Sequence, residues 1–123
     1  PRHFPHGEAH PDPVVETTSL AFVDPPTFGE RLLPGILAAA VREKTLSSLQ
    51  LEAVAYACDR HQLLLESGTR AGFFLGDGPG VGKGRQLAAI ILENWLAGRR
   101  RHVWLSVSPD LFHDAVRDLR EVS

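Results

Sequence analysis

Apolar residues recur in two different rhythms from Ser47 onward. Between Ser47 and His61, Leu51, Val54, Ala55 and Cys58 follow the three- and four-residue spacing of a helix face, with Leu49, Ala53 and Tyr56 as a second strip. The predicted helix is therefore buried over much of its circumference. Ser47-Ser48-Leu49-Gln50 marks its start as a capping box, in which a serine hydroxyl and a glutamine side chain satisfy terminal amides reciprocally. Ala71-Gly72-Phe73-Phe74-Leu75 is a short unbroken apolar run that stops at Gly76, and Val103-Trp104-Leu105-Ser106-Val107 is a second. Each run predicts a strand buried on both faces.

Leu87, Ile90, Ile91 and Trp95 predict a helix from Lys83, ended by Gly98 with Arg99, Arg100 and Arg101 near its negative end. Another helix is expected at Ser108-Pro109-Asp110, where Ser108 caps, Pro109 fits the first turn and Asp110 complements the dipole. Leu111, Phe112, Ala115, Val116 and Leu119 form its expected inward stripe. Strand, loop, helix, strand, helix is the order of a right-handed parallel crossover. The expected class is α/β, with a parallel sheet and flanking helices.

The first third reads differently. Seven of the nine prolines lie between Pro1 and Pro34, which predicts an extended lead segment over residues 1–35. The Ala-rich run from Ile36 to Val41 predicts a short helix opening a unit over 36–123. His3, His6 and His10 have no Cys or carboxylate constellation around them, so they read as solvated side chains and no metal site is expected.

The 123 residues suffice for one small domain, and the absence of Met together with Pro1 at the start reads as a segment of a longer protein. A net charge of −2 makes the chain no global attractor of nucleic acid, so any such contact is local. A lone Cys58 excludes an internal disulfide framework. The longest apolar runs fall far short of the ~20 residues that cross a bilayer.

The chemistry concentrates in Gly76-Asp77-Gly78-Pro79-Gly80-Val81-Gly82-Lys83-Gly84-Arg85, set between the first predicted strand and the helix after it. A phosphate chain needs several backbone amides converging on it, and residues without a β-carbon let the main chain come close. Gly78, Gly80 and Gly82 supply that approach, the helix start adds its amide-rich end, and the Lys83 ammonium reaches terminal phosphates. A dinucleotide fingerprint fails, because the sixth position counted from Gly76, Gly78 or Gly80 is Val81, Lys83 or Arg85. The strict phosphate-loop pattern is not met either: Asp77 replaces its first glycine and Gly84 its magnesium-binding hydroxyl.

The loop resembles motif I of superfamily-two helicases and remodelling ATPases, and more narrowly that of the Strawberry notch family of helicase-like proteins. The match extends to "HPDPVVETTSL" from His10, "LSSLQLEAVAYACDRH" from Leu46, "RAGFFLGDGPGVGKGR" from Arg70 and "LSVSPDLFHDAVRDLR" from Leu105. In that family a lysine followed by Gly-Arg is the expected form, whereas Pro79 stands where a small residue such as Ala is usual. The resemblance implies part of the first RecA-like domain of an ATP-binding, helicase-like transcriptional regulator. It implies nuclear localisation in a eukaryote and a cytoplasmic one otherwise, with nucleic acid or chromatin and transcription factors as partners.

On this resemblance Gly78, Gly80, Val81, Gly82, Lys83, Gly84 and Arg85 bind ATP, with Lys83 as the catalytic counter-charge. Mg2+ is then held mainly by phosphates, waters and an acidic motif beyond Ser123. The segment alone is accordingly expected to bind nucleotide without hydrolysing it efficiently. Gln50 matches a glutamine that reads adenine in related helicases, while the capping box alone also accounts for it. Ser106 to Asp110 occupies the place of a motif that lies against nucleic-acid backbone, or is an ordinary capped helix start. Arg99 to Arg101 either touch nucleic acid or form a solvated cluster.

Two further readings stay open. "GPGVGKGRQ" also looks like the adenylate kinase loop, with Arg85 in place of its threonine, although such kinases lack so long a lead before the loop. The other is an interaction protein that keeps a nucleotide-binding fold without turnover.

Overall fold

A computed structural model describes residues 8–11 and 45–123. The expected lead over 1–35, apart from residues 8–11, and the expected helix from Ile36 to Val41 lie outside the described residues. Among the described residues three helices carry the structure: α1 (Ser48–Arg60), α2 (Lys83–Leu96) and α3 (Leu111–Val122). The middle helix, α2, packs against both others.

Helix α1 starts where the local chemistry predicts. The Ser47 hydroxyl accepts from the Gln50 amide at 3.4 Å, and the Ser47 amide donates to Gln50 Oε1 at 3.0 Å, completing the capping box. Ser48 N donates to the Glu8 carbonyl at 2.6 Å, which ties residues 8–11 to the helix start. Leu51, Val54, Ala55 and Cys58 are buried and cluster with Leu46 and Ala89, with Ile90 and Leu92 packed at the edge. Leu49, Ala53 and Tyr56 are half-buried, so the second strip is a flank of the core rather than its centre. Burial pushes the Cys58 thiol up to about 12, Glu93 adding to the shift and Arg99 opposing it. It is a small apolar core group with no thiolate at neutral pH.

The buried face of α2 is rotated from the expected stripe. Gln86, Ala88, Ala89 and Asn94 are buried, whereas Leu87 and Trp95 are 39% and 47% exposed. Ala88 and Ala89 are fully buried, and the Asn94 amide finds partners on both of its ends. Asn94 Nδ2 donates to the Ile90 carbonyl at 2.8 Å, and its Oδ1 accepts from Arg99 Nη1 at 2.6 Å.

The described residues do not adopt the expected α/β architecture. Among the described residues there is no strand and no sheet, only the isolated bridges Glu8 to Ser47 and Leu64 to Arg70, so the RecA-like parallel sheet with flanking helices is corrected to a three-helix arrangement. Phe74, Leu105 and Val107 are 86%, 88% and 101% exposed, the opposite of strands covered on both faces. An apolar run records a preference for burial, but a strand exists only through ladder hydrogen bonds to a neighbour. Residues 71–75 and 103–107 make no such ladder with one another.

Helix α3 also departs from its expected register. Ser108-Pro109-Asp110 forms a turn before the helix, with Leu111 N donating to the Ser108 carbonyl at 3.3 Å and Phe112 N to that of Pro109 at 3.0 Å. Leu111 and Phe112 are 43% and 64% exposed, while Asp118 and Val122 are the buried residues. That register sets a carboxylate against α2. Among the described residues no helix is long and apolar enough to cross a membrane.

Candidate nucleotide-phosphate site

The glycine loop folds immediately ahead of α2. Gly80 and Gly82 adopt φ of 87° and 78°, the left-handed region that a residue with a β-carbon enters only under strain. Gly82 is the N-cap of α2 and has no side chain to satisfy the first amides. The helix start therefore keeps its donors for something else. Around Gly78 and Gly80 a β-carbon would meet nothing within 4 Å, so the loop faces open space.

Lys83 spans the loop. Its Nζ donates to the carbonyls of Asp77 at 2.9 Å and Gly78 at 2.8 Å, which brings the ammonium back over the residues before it. The Asp77 carboxylate accepts from Gln86 Nε2 at 3.0 Å, so the buried glutamine of α2 fixes the first bend. The other end of that amide, Gln86 Oε1, has no hydrogen-bond partner.

Gln50 closes the cap that its sequence position predicts and makes a second, long-range contact as well. Its Oε1 closes the capping box of α1, and its Nε2 donates to the Val81 carbonyl at 2.9 Å. The side chain, in a residue only 6% exposed, braces the phosphate loop from α1. We expect Gln50→Ala in the full-length protein to weaken ATP and GTP alike, by about three- to tenfold, as one buried hydrogen bond and part of a cap are lost. Parallel titrations of the two nucleotides decide it. A loss confined to ATP would assign the amide to adenine instead.

Gly84 and Arg85 turn towards α3. A β-carbon on Gly84 would overlap Asp118 Oδ2 and lie 3.2 Å from its Cγ, so the absent side chain is what lets α3 close on α2. The Arg85 guanidinium pairs with Glu121, an ion pair about two-fifths exposed on each side and hence worth at most about 1 kcal/mol.

Between the loop and α3 lies an open cleft of about 980 Å³, lined by Gly80 to Arg85, Gln50, Trp104 to Val107, and by Asp114, Arg117 and Asp118 of α3. Its size matches the upper end of small-molecule sites, roughly 300–1,000 Å³. The structure thus gathers Gly80, Val81, Gly82, Lys83, Gly84, Arg85 and Gln50 around one cavity, with Gly78 held at the loop's outer bend by Lys83. Ser106 lines the same cleft, its hydroxyl donating to the Ser108 carbonyl at 3.2 Å. Arg99 is committed to Asn94 and Gln62, and Arg100 stacks 5.6 Å from the Trp95 ring centroid; neither lines the cleft. The α3 residues Asp114, Arg117 and Asp118 escape sequence reasoning, since charged positions on an amphipathic helix read as its wet face. The single hint was Gly84, whose missing side chain needed a neighbour to explain it.

These groups suit a phosphate chain: left-handed glycines, an uncapped helix start, an ammonium and open volume in front of them. Among the described residues no group of three or more His, Cys, Asp or Glu could by itself hold a metal ion.

Comparison with known proteins agrees with that chemistry. The family model described as P-loop containing NTP hydrolase pore-1 matches residues 9–123. The chain is 54% identical to mouse protein strawberry notch homolog 2 over 117 residues, covering 94% of this chain and 8% of the mouse protein. Against Arabidopsis thaliana protein FORGETTER 1 the identity is 52% over 118 residues, covering 94% and 9%. Against Drosophila melanogaster protein strawberry notch it is 49% over 116 residues, covering 94% and 7%. The chain therefore spans less than a tenth of the length of these relatives. No solved structure matches. With its glycine loop, its lysine and nearly its whole length matched, this chain belongs to the P-loop containing NTP hydrolase pore-1 family and is a helicase-like relative of the strawberry notch proteins.

Proposed function

We propose that this segment holds the phosphates of ATP, with magnesium, for a helicase-like protein that couples nucleotide binding and hydrolysis to work on nucleic acid or chromatin. The observation that carries the reading is the loop, open at Gly78 and Gly80, facing a cleft with Lys83 and the uncapped start of α2 at its back. Main-chain amides and the ammonium bind the triphosphate electrostatically, while Gln50 and Gln86 keep the loop in shape. Magnesium bound with the nucleotide neutralises its charge and orients the terminal phosphate. In a eukaryote the protein works in the nucleus, where transcription factors and chromatin are its partners; otherwise it works in the cytoplasm.

Titration of the full-length protein with ATP tests this directly. Saturable binding below millimolar concentration is expected, together with ATP turnover that rises when DNA or RNA is added. Absence of binding at millimolar ATP would remove the reading altogether. Transfer of the γ-phosphate to a nucleoside monophosphate, rather than to water, would favour the kinase-like alternative that the Gly80 to Gln86 stretch also resembles.

A further inference from the structure

We propose that Asp118 of α3 is a protein group that faces the magnesium ion of the bound nucleotide, standing in for the hydroxyl that Gly84 lacks. This rests on the ATP-binding reading above and adds a residue to it. In the strict form of the loop, the residue after the lysine carries a Ser or Thr hydroxyl to the metal. Here that residue is glycine, and the space beyond its Cα is occupied from another helix. A β-carbon at Gly84 would overlap Asp118 Oδ2 and lie 3.2 Å from Cγ. The carboxylate thus fills the volume from which a loop hydroxyl would act.

Asp118 is also short of partners for a buried anion. The residue is 8% exposed, yet it lines the cleft. Its Oδ1 accepts from Arg117 Nη2 at 3.3 Å, and among the described residues Oδ2 accepts no hydrogen bond. The other cations nearby are engaged elsewhere: Lys83 with the carbonyls of Asp77 and Gly78, Arg85 with Glu121. Arg117 itself is 57% exposed in its side chain and shared with Asp114. An anion so placed, with one oxygen free, gains from a cation arriving with the ligand. Magnesium suits it, because that ion is commonly held by one or two carboxylates together with substrate phosphates and water.

A rival role can be separated cleanly. If Asp118 merely docks α3 on α2, removing its charge disturbs nucleotide binding with and without metal alike. If it faces the metal, the effect depends on the metal, and in its absence the carboxylate only repels phosphate. ATP affinity of the full-length protein is therefore measured in EDTA and in excess Mg2+ for wild type, Asp118→Asn, and the double variant Asp118→Ala with Gly84→Ser. The asparagine variant is expected to lose about 10- to 100-fold in the affinity gained from Mg2+, while its affinity in EDTA stays equal or improves. In the double variant a serine fits, since a β-carbon at position 84 lies 4.0 Å from that of residue 118, an ordinary contact. Its hydroxyl should restore a gain from Mg2+.

Equal losses in EDTA and Mg2+, or a full Mg2+ gain in Asp118→Asn, overturn the assignment while leaving ATP binding intact. Should the asparagine variant fail to fold by circular dichroism, the double variant decides: a Mg2+ gain supports the assignment, and its absence overturns it. Wild type that binds no ATP removes the parent reading and this one together.

Discussion

Alanine at position 83 of the full-length protein is expected to abolish ATP hydrolysis and to weaken ATP binding by about ten- to a hundredfold. The ammonium of Lys83 sits 2.9 and 2.8 Å from two loop carbonyls, in a place where it can exchange those neutral acceptors for phosphate oxygens without moving the backbone. A hydrogen bond to a charged group contributes roughly 1.5–3 kcal/mol, and each 1.4 kcal/mol is tenfold in affinity. Hydrolysis suffers more than binding, because negative charge on the transferring phosphoryl group and its leaving oxygen is what the ammonium stabilises. The helix itself should survive, alanine being the best helix former and Lys83 the first residue of α2. Nucleotide titration together with steady-state phosphate release checks the two effects separately. Superimposable titration curves for wild type and variant would contradict the role given to Lys83.

Lys83→Arg sharpens the same experiment. A guanidinium is planar and bulkier than an ammonium, and its donors are fixed in a fork. Two carbonyls from consecutive residues hold Nζ at nearly equal distances, a pocket shaped for a point donor. Arginine keeps the charge while misplacing it, so binding should be partly retained and turnover lost.

What the sequence disclosed and what it withheld follow from the range of the forces involved. The capping box of α1 spans Ser47 to Gln50 and is complete within four residues, so its pattern could be read directly and the helix begins where that pattern places it. The loop glycines were legible for a similar reason: φ angles of 87° and 78° are imposed on Gly80 and Gly82 by their own backbone. Sheet formation is a property of pairs of segments, and nothing inside Phe73-Phe74-Leu75 or Val103-Trp104-Leu105 specifies a partner. Apolarity alone predicts strands there, and the structure leaves those runs without a ladder. The register of α3 was lost for the complementary reason. The expected stripe follows the apolar residues Leu111, Phe112, Ala115, Val116 and Leu119, whereas the contact with α2 is decided by a vacancy, the missing side chain of Gly84, which admits Asp118. Gln50 shows the intermediate case. Its cap was readable from the neighbouring Ser47, but its reach across 31 positions to the Val81 carbonyl was not.

Gly82 is where the local and the long-range arguments meet, and Gly82→Ala should damage the loop more than Gly80→Ala does. Two effects add there. Holding an L-residue at φ 78° costs about 1–2 kcal/mol. The new β-carbon would also stand 2.5 Å from Gln50 Nε2 and 3.7 Å from Cδ, so the amide must withdraw from the Val81 carbonyl. Losing that bond adds about 0.5–1.5 kcal/mol, and the capping box shares the same amide. Gly80→Ala provides the control: φ 87° imposes the same strain, yet the added carbon meets nothing within 4 Å. Hydrogen exchange at the Leu51 amide, which donates to the Ser47 carbonyl at 2.9 Å, reads the opening of the α1 start in the full-length protein. Gly82→Ala should raise that exchange rate well above the level in Gly80→Ala. In a Gln50→Ala background the clash is gone, so the excess should vanish and the pair should be strongly non-additive. If Gly82→Ala cost the same with either residue at position 50, the brace from α1 to the phosphate loop would contribute nothing, and the backbone strain of Gly82 would account for the whole effect.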